Sequence, residues 1–244
     1  MKEYGLIGFP LSHSFSQKYF TEKFQSENIQ DSRYNLFELT DIQQFPALIR
    51  NQPQLCGLNV TIPYKQVIIP FLDDLEPVAA QIGAVNVIKF ANGKLKGFNS
   101  DYQGFLQSLQ NFCPDYAQAQ ALVLGNGGAA KAVIAALDYL GIAYKLVSRN
   151  PTKEQLSYEQ LTTSLLKDFS LIINTTPLGT YPNVATYPPI LYEALSSDHY
   201  LYDLVYNPAE TVFLRKGREA GTKTKNGYEM LCLQAEVAWQ IWNS

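Results

Sequence analysis

Apolar and polar positions along this chain switch repeatedly between a period of two and a period near 3.6. In GLNVTIPYK (57–65), Leu58, Val60 and Ile62 alternate with Asn59 and Thr61. A strand there puts three apolar side chains on one face, where they can be buried, and an amide and a hydroxyl on the other. Pro63 stops the strand and Lys65 follows just past the stop. The same pattern makes strands of YGLIGF (4–9), RYNLFEL (33–39) and LCGLNVTI (55–62), with helices from about Ser14 to Glu27 and through IQQFPALI. AVNVIKFANGKLKGF (84–98) reads as a hairpin, because Asn92-Gly93 between two apolar arms is a strong two-residue turn signal. This βαβα run with an added hairpin predicts an N-terminal α/β domain with a mixed sheet.

A second unit starts near Asp101. Helix FLQSLQNF and the polar connector CPDYAQAQ lead into strand ALVL, a glycine loop, helix AAKAVIAALDYL and the strands YKLVS, LIINTT and YLYDLVY. Strand–helix alternation of this kind predicts a parallel, doubly wound sheet. NGYEMLCLQAEVAWQIW, with apolar residues at helical spacing, is the last helix. The 244 residues suffice for one large domain or two small ones, each with a core.

Composition narrows the partners. With 22 acidic and 19 basic residues, a net charge of −3 and no Lys/Arg cluster, neither nucleic acid nor a membrane surface is expected. The opening MKEYGLIGFPLSHS has too short an apolar run for a signal peptide, and no stretch is long enough for a membrane helix. Cys56, Cys113 and Cys232 are scattered and odd in number, which fits a reducing cytoplasm better than a disulfide framework or a zinc site. No metal-ligand spacing is present.

The glycine loop carries the first chemistry. In ALVLGNGGAAKAVIAAL (121–137), Gly125, Gly127 and Ala130 fit G-x-G-x-x-G/A between a strand and a helix. Gly125 allows the tight turn, Gly127 admits a pyrophosphate, and Ala130 keeps helix and strand close. A helix N-terminus also favours phosphate. NAD sites place an acid at the end of the next strand, but here that strand ends in Ser148-Arg149-Asn150, and Arg149 can pair with a 2′-phosphate. The expected cofactor is therefore NADP.

The remaining polar clusters each have an ordinary explanation. Ser14 with Gln17 fits a capping box, the reading those residues favour by themselves, although helix starts also attract carboxylates. Ser100 with Gln103 fits another, and Asp101 in the first turn suits the helix dipole or could partner Lys65. Asn86 could bond a loop, Tyr206 could be a half-buried aromatic, and Gln234 could be a solvated helix residue.

Taken in order, however, HSFS (13–16), NVTIPYK (59–65), IGAVN (82–86), GFNSD (97–101), GNGGAA (125–130), SRN (148–150), DLVYNP (203–208) and NGYEMLCLQA (226–235) resemble the shikimate dehydrogenase family over essentially the whole chain. The resemblance implies residues 1–100 plus 227–244 as a substrate-binding domain, to which the last helix returns, and residues 101–226 as a Rossmann-type NADP-binding domain. It implies reversible reduction of 3-dehydroshikimate to shikimate by NADPH, without a metal, in chorismate and aromatic amino-acid biosynthesis. Ser14, Ser16 and Tyr206 are implied at the substrate carboxylate, and Asn59, Thr61, Lys65, Asn86, Asp101 and Gln234 at the ring hydroxyls. Lys65 and Asp101 are the implied catalytic pair. The expected cofactor contacts are Gly125, Asn126, Gly127, Gly128, Ala129, Ser148, Arg149, Leu204 and Gly227, the last through its backbone. Two departures from the family's pattern are Gln17, where Pro is common after the second serine, and Pro77, where many relatives carry an acid that Glu76 could replace. Alternatives are a dual-specificity quinate/shikimate dehydrogenase and a non-catalytic NADP-binding sensor. A cytoplasmic monomer or homodimer is expected.

Overall fold

In the computed structural model, which describes residues 1–12 and 14–244, two sheets organise the chain; His13 of the HSFS stretch lies outside the described residues. The chain groups into two units, Met1–Gln103 with Gln234–Ser244, and Gly104–Leu233.

The first unit runs β1 (Lys2–Gly8), α1 (Phe15–Ser26), β2 (Ser32–Glu38), α2 (Phe45–Asn51), β3 (Leu55–Val60), β4 (Asp74–Leu75), α3 (Pro77–Ile82), β5 (Val87–Ala91) and β6 (Lys94–Phe98). Its sheet has the order β2-β1-β3-β5-β6-β4. β1 lies parallel to β2 and β3, while β5 is antiparallel to both β3 and β6, so the sheet is mixed as the pattern predicts. The turn at Asn92-Gly93 has φ of 54° and 73°, the left-handed pair that a two-residue hairpin needs.

Alternation along the strands separates two cores. Ile7, Leu58, Val60 and Ile88 pack on one face with Phe45, Ile68 and Ala79. Tyr4, Leu6 and Val87 occupy the other, beneath Phe20 and Phe24 of α1 and Ala235, Ala238 and Trp242 from the end of the last helix. Asn59 pairs with Leu6 and Val87 and so shares this second face. Gly57 is required there, because a Cβ would meet the Trp242 ring at 2.2 Å. Ile62 departs from the expected burial and is 73% exposed, because regular pairing ends at Val60 and the alternation ends with it.

The second unit takes α4 (Ser100–Phe112) from Gly104 onward, then β7 (Gln120–Leu124), α5 (Gly128–Leu140), β8 (Ala143–Val147), α6 (Thr163–Leu166), β9 (Leu171–Asn174), β10 (Tyr200–Asp203), α7 (Val212–Glu219), β11 (Lys223–Lys225) and α8 (Tyr228–Asn243) up to Leu233. Its five strands are all parallel in the order β11-β10-β9-β7-β8, a doubly wound sheet of Rossmann type. α7 and β11 had no clear sequence signal. α7 buries only Phe213, Leu214 and Gly217, and that glycine lets the helix approach the sheet, since a Cβ would meet Leu201 at 2.4 Å.

Candidate active site

Polar side chains gather at the end of the α1 and α8 layer of the first unit. α1 starts after Ser14, whose extended backbone is that of an N-cap, but its side chain caps nothing. Its hydroxyl is buried with no hydrogen-bond partner among the described residues. A buried hydroxyl in that state costs about 1–3 kcal/mol. The capping box expected with Gln17 is therefore absent, and the geometry leaves Ser14 suited to a partner from outside the protein. Ser16 hydrogen-bonds the Tyr34 hydroxyl.

Asn59, Asn86 and Gln234 are all buried. Asn86 joins them: its carbonyl accepts from Val60 N at 2.9 Å and from Asn59 Nδ2 at 3.3 Å. Its side chain accepts from Ser100 N at 2.7 Å and donates to Ser100 Oγ at 3.0 Å. Ser100 Oγ also lies 3.3 Å from Gln234 Oε1. Ser100 thus organises amides instead of forming the expected capping box with Gln103. The cap of α4 is Asn99, whose Oδ1 accepts from Tyr102 N at 3.1 Å and whose Nδ2 donates to Ala84 O at 2.9 Å.

With its start so fixed, α4 presents Asp101 to Lys65. Nζ and Oδ2 are 2.6 Å apart, and the side chains keep 33% and 21% of their exposure, open enough for a ligand to reach them. The Lys65 backbone is held by Val85 N donating to its carbonyl at 2.7 Å. Thr61 is half-buried just past β3, its N–H on Ile7 O at 2.9 Å. Glu76 has a structural post: its carboxylate caps α3 by accepting from Ala79 N at 3.0 Å.

Two residues in this network carry no signal of this role in their own stretches of sequence. Tyr34 donates to Asn59 Oδ1 at 2.7 Å, and Ser100 ties two amides. Strand register holds the only signal for Tyr34: Leu36 and Asn59 both align with Leu6, so Tyr34 shares the face of Asn59 from two strands away. Burial pushes the Tyr34 hydroxyl well above the usual tyrosine range, so it is a neutral donor.

In the second unit, the glycine loop joins β7 to α5. Gly125 has φ of +103°, and a Cβ there would also crowd Thr175 and Thr176 at 2.9 Å. Asn126, Gly127, Gly128 and Ala129 are exposed, while Ala130 is buried. Nothing lies within 4 Å of a Cβ built on Gly127 or Gly128, and Gly127 caps α5 without a side-chain bond. Packing does not demand glycine at these two positions; room before the helix N-terminus does, and a pyrophosphate fits that demand. Past β8, Ser148 is buried and takes the Asn150 N–H at 3.2 Å, while Arg149 is exposed with no ion pair among the described residues. The residues fit NADP.

Leu204, Tyr206 and Gly227 also belong to this unit. Leu204 N donates to Asn174 O at 3.0 Å, and Gly227 N to Val205 O at 3.1 Å. A Cβ on Gly227 would lie 2.1 Å from the Leu204 carbonyl oxygen, so packing alone requires this glycine. Tyr206 is 36% exposed, and loss of solvent raises its pKa. It is not among the residues that the first unit assembles. The loop carrying it is anchored by Asp203, fully buried, which accepts from Thr211 Oγ1 at 2.6 Å, Asn174 Nδ2 at 2.9 Å and Val205 N at 3.0 Å. Burial outweighs these bonds and pushes the Asp203 carboxyl up to about 6. Among the described residues, no group of three or more His, Cys, Asp or Glu could hold a metal ion, and no helix is long and apolar enough to cross a membrane.

Residues 6–88 match the family described as shikimate dehydrogenase substrate binding domain. The chain is 41% identical over 254 residues to the shikimate dehydrogenase (NADP(+)) of Clostridium beijerinckii, covering 99% of this chain and 92% of the relative. The chain belongs to the shikimate dehydrogenase family. Its structure is similar to a chorismate mutase/shikimate 5-dehydrogenase fusion protein from Clostridium acetobutylicum, with a TM-score of 0.90, 37% identity and coverage of 100% of this chain and 91% of that one. It is also similar to shikimate 5-dehydrogenase from Thermus thermophilus in complex with NADP(H) and shikimate, with a TM-score of 0.86, 28% identity and coverage of 99% and 93%. Membership of the shikimate dehydrogenase family makes the chain an NADP-dependent oxidoreductase acting on shikimate.

Proposed function

We propose that Lys65 is the acid–base group of the reversible reduction of 3-dehydroshikimate to shikimate, and that Asp101 aims it. The observation that carries this reading is the 2.6 Å Lys65–Asp101 pair, partly open to ligand and set beside a buried network of amides. Bound NADPH supplies the hydride. As a ketone becomes an alcohol, negative charge develops on its oxygen, and the Lys65 ammonium can both stabilise that charge and deliver the proton. Asp101 restricts where the ammonium points. In the oxidative direction the same pair receives the alcohol proton.

The remaining roles follow from chemistry and position. Ser14, at a helix start and with no hydroxyl partner among the described residues, and Ser16 bind the carboxylate. Thr61, Asn59, Asn86 and Gln234 bind ring hydroxyls. On this reading the first unit is the substrate domain and the second the NADP domain, where Asn126 to Ala129 face the pyrophosphate and Arg149 the 2′-phosphate. A cytoplasmic location completes it, supported by three cysteines that form no disulfide.

The test is purified protein assayed with shikimate and with 3-dehydroshikimate, each with NADP(H) and NAD(H). Turnover of both substrates with NADP(H) is expected. Binding of NADP without turnover of either would instead make the chain a sensor.

A further inference from the structure

Tyr34 is no ligand in the reading above, yet its hydroxyl sits where two proposed ligands meet. Its ring is buried and stacked on Phe20, with 4.6 Å between centroids and 13° between planes. The hydroxyl lies 2.7 Å from Asn59 Oδ1 and hydrogen-bonds Ser16. Groups with no freedom of role fix the direction of each bond. The Asn86 carbonyl can only accept, so the Asn59 atom 3.3 Å from it is Nδ2. Asn59 Oδ1 therefore faces Tyr34, and the phenol donates to it. Having a single proton, Tyr34 then accepts from Ser16.

Asn86 is oriented by the same logic. The Ser100 backbone N–H can only donate, so the Asn86 atom 2.7 Å away is Oδ1, which turns Nδ2 toward Ser100 Oγ at 3.0 Å. In both amides the oxygen is taken by the protein. Each retains one N–H with no partner among the described residues.

We propose that Tyr34 is a positioning residue: its hydroxyl locks the Asn59 amide with an N–H turned to the substrate and holds the Ser16 hydroxyl until a carboxylate displaces it. The proposal rests on the reading of Ser16 and Asn59 as substrate ligands. Asn59 and Asn86 then both meet the substrate as donors. A ring hydroxyl against either one accepts there and sends its own proton elsewhere, and an ammonium in its place would set donor against donor.

Tyr34→Phe keeps the ring and its stack and removes only the hydroxyl. In the otherwise unaltered chain, kcat/KM for shikimate falls about tenfold, mostly through KM. Added to Ser16→Ala/Asn59→Ala, the same substitution costs less than about twofold, because the groups it positions are gone. An equal loss in both backgrounds means that the Tyr34 hydroxyl acts independently of Ser16 and Asn59 and overturns the proposal, as does an unchanged KM in the single variant. A second measurement needs no substrate. The side-chain amide resonances of Asn59, assigned by their absence in Asn59→Ala, shift in Tyr34→Phe; unmoved resonances overturn the lock. The two failures are therefore separable. Absent turnover of shikimate by the unaltered chain overturns the substrate reading, while the amide signal still decides whether Tyr34 holds Asn59.

Discussion

At the scale of the residue, function here depends on which protons and lone pairs the fold leaves unused. Lys65 presents three donors, of which Asp101 occupies one at 2.6 Å. On the role proposed for it, Lys65→Ala removes the group that meets developing charge, so the loss belongs to the transition state more than to binding. We expect kcat to fall by roughly two or more orders of magnitude with a much smaller change in KM; an unchanged kcat removes Lys65 from the mechanism. Ser14 supports a prediction about selectivity. Shikimate holds its carboxylate near the ring plane, whereas quinate has a tetrahedral carbon there with one more hydroxyl. Leaving that hydroxyl unpartnered costs about 1–3 kcal/mol, the tilted carboxylate misaligns its bonds, and each 1.4 kcal/mol or so is tenfold. Shikimate should lead quinate by at least about a hundredfold in kcat/KM at saturating NADP; comparable values would favour dual specificity. The residue types at Ser14, Lys65 and Asn59 were legible as a motif, but their local physics was not. Ser14 reads as a cap and Ser100 as another, and only tertiary contacts show that neither side chain serves its own helix. Nothing in the sequence marks Tyr34 beyond its place in a strand, because its partner is 25 residues away.

At the scale of the element, what matters is how each strand ends. β7 ends in a turn that only Gly125 suits, and β8 ends beside an exposed arginine and no acid. Arg149→Ala should weaken NADPH and leave NADH nearly unchanged, because only NADPH carries the 2′-phosphate. Titration of both cofactors checks this, and equal weakening makes the residue structural. The entry to α8 gives the opposite kind of glycine. At Gly227 the Leu204 carbonyl lies 2.1 Å from a Cβ, and backbone cannot move aside as a flexible side chain can. Gly227→Ala should destabilise the fold by about 1–3 kcal/mol, whereas Gly127→Ala, with open space around it, should leave stability nearly unchanged and weaken NADPH. Urea midpoints of the two variants and a cofactor titration of the second separate packing from binding. Both glycines are expected at the cofactor, Gly127 from the glycine motif and Gly227 from the family resemblance, since neither pattern records what stands opposite. Strong periodicity made β1, β3, β7 and α5 legible, while α7 and β11 were lost among VFLRKGRE and KTK, where few apolar positions repeat.

At the scale of the whole molecule, stability depends on pH through groups whose proton affinity the fold changes, and Asp203 is the carboxyl raised furthest. DLVYNP was legible as a family motif, but nothing in it says that the aspartate is completely buried, because burial comes from the strands on either side of β10 and from Thr211. The fold raises Asp203 from the ordinary 3.8 to about 6, with burial as the main cause. The folded state therefore binds this proton more readily than the unfolded chain does. Stability contributed by Asp203 rises as pH falls through about 6 and levels off below the unfolded value. Asp74, Glu159, Glu210 and Glu229 are shifted the other way, so their contributions are lost only as pH falls below the ordinary carboxylate range. Between pH 7 and pH 5 the Asp203 effect amounts to about 1 kcal/mol in favour of the fold. Asp203→Asn is neutral at every pH and resembles the protonated carboxyl. The stability difference between the two proteins, from urea unfolding followed by far-ultraviolet circular dichroism, should therefore shift toward the unaltered chain by about 1 kcal/mol on going from pH 7 to pH 5. A difference that stays constant over this interval would mean that the three donors to Asp203 hold it ionised, and that hydrogen bonding outweighs burial at this site.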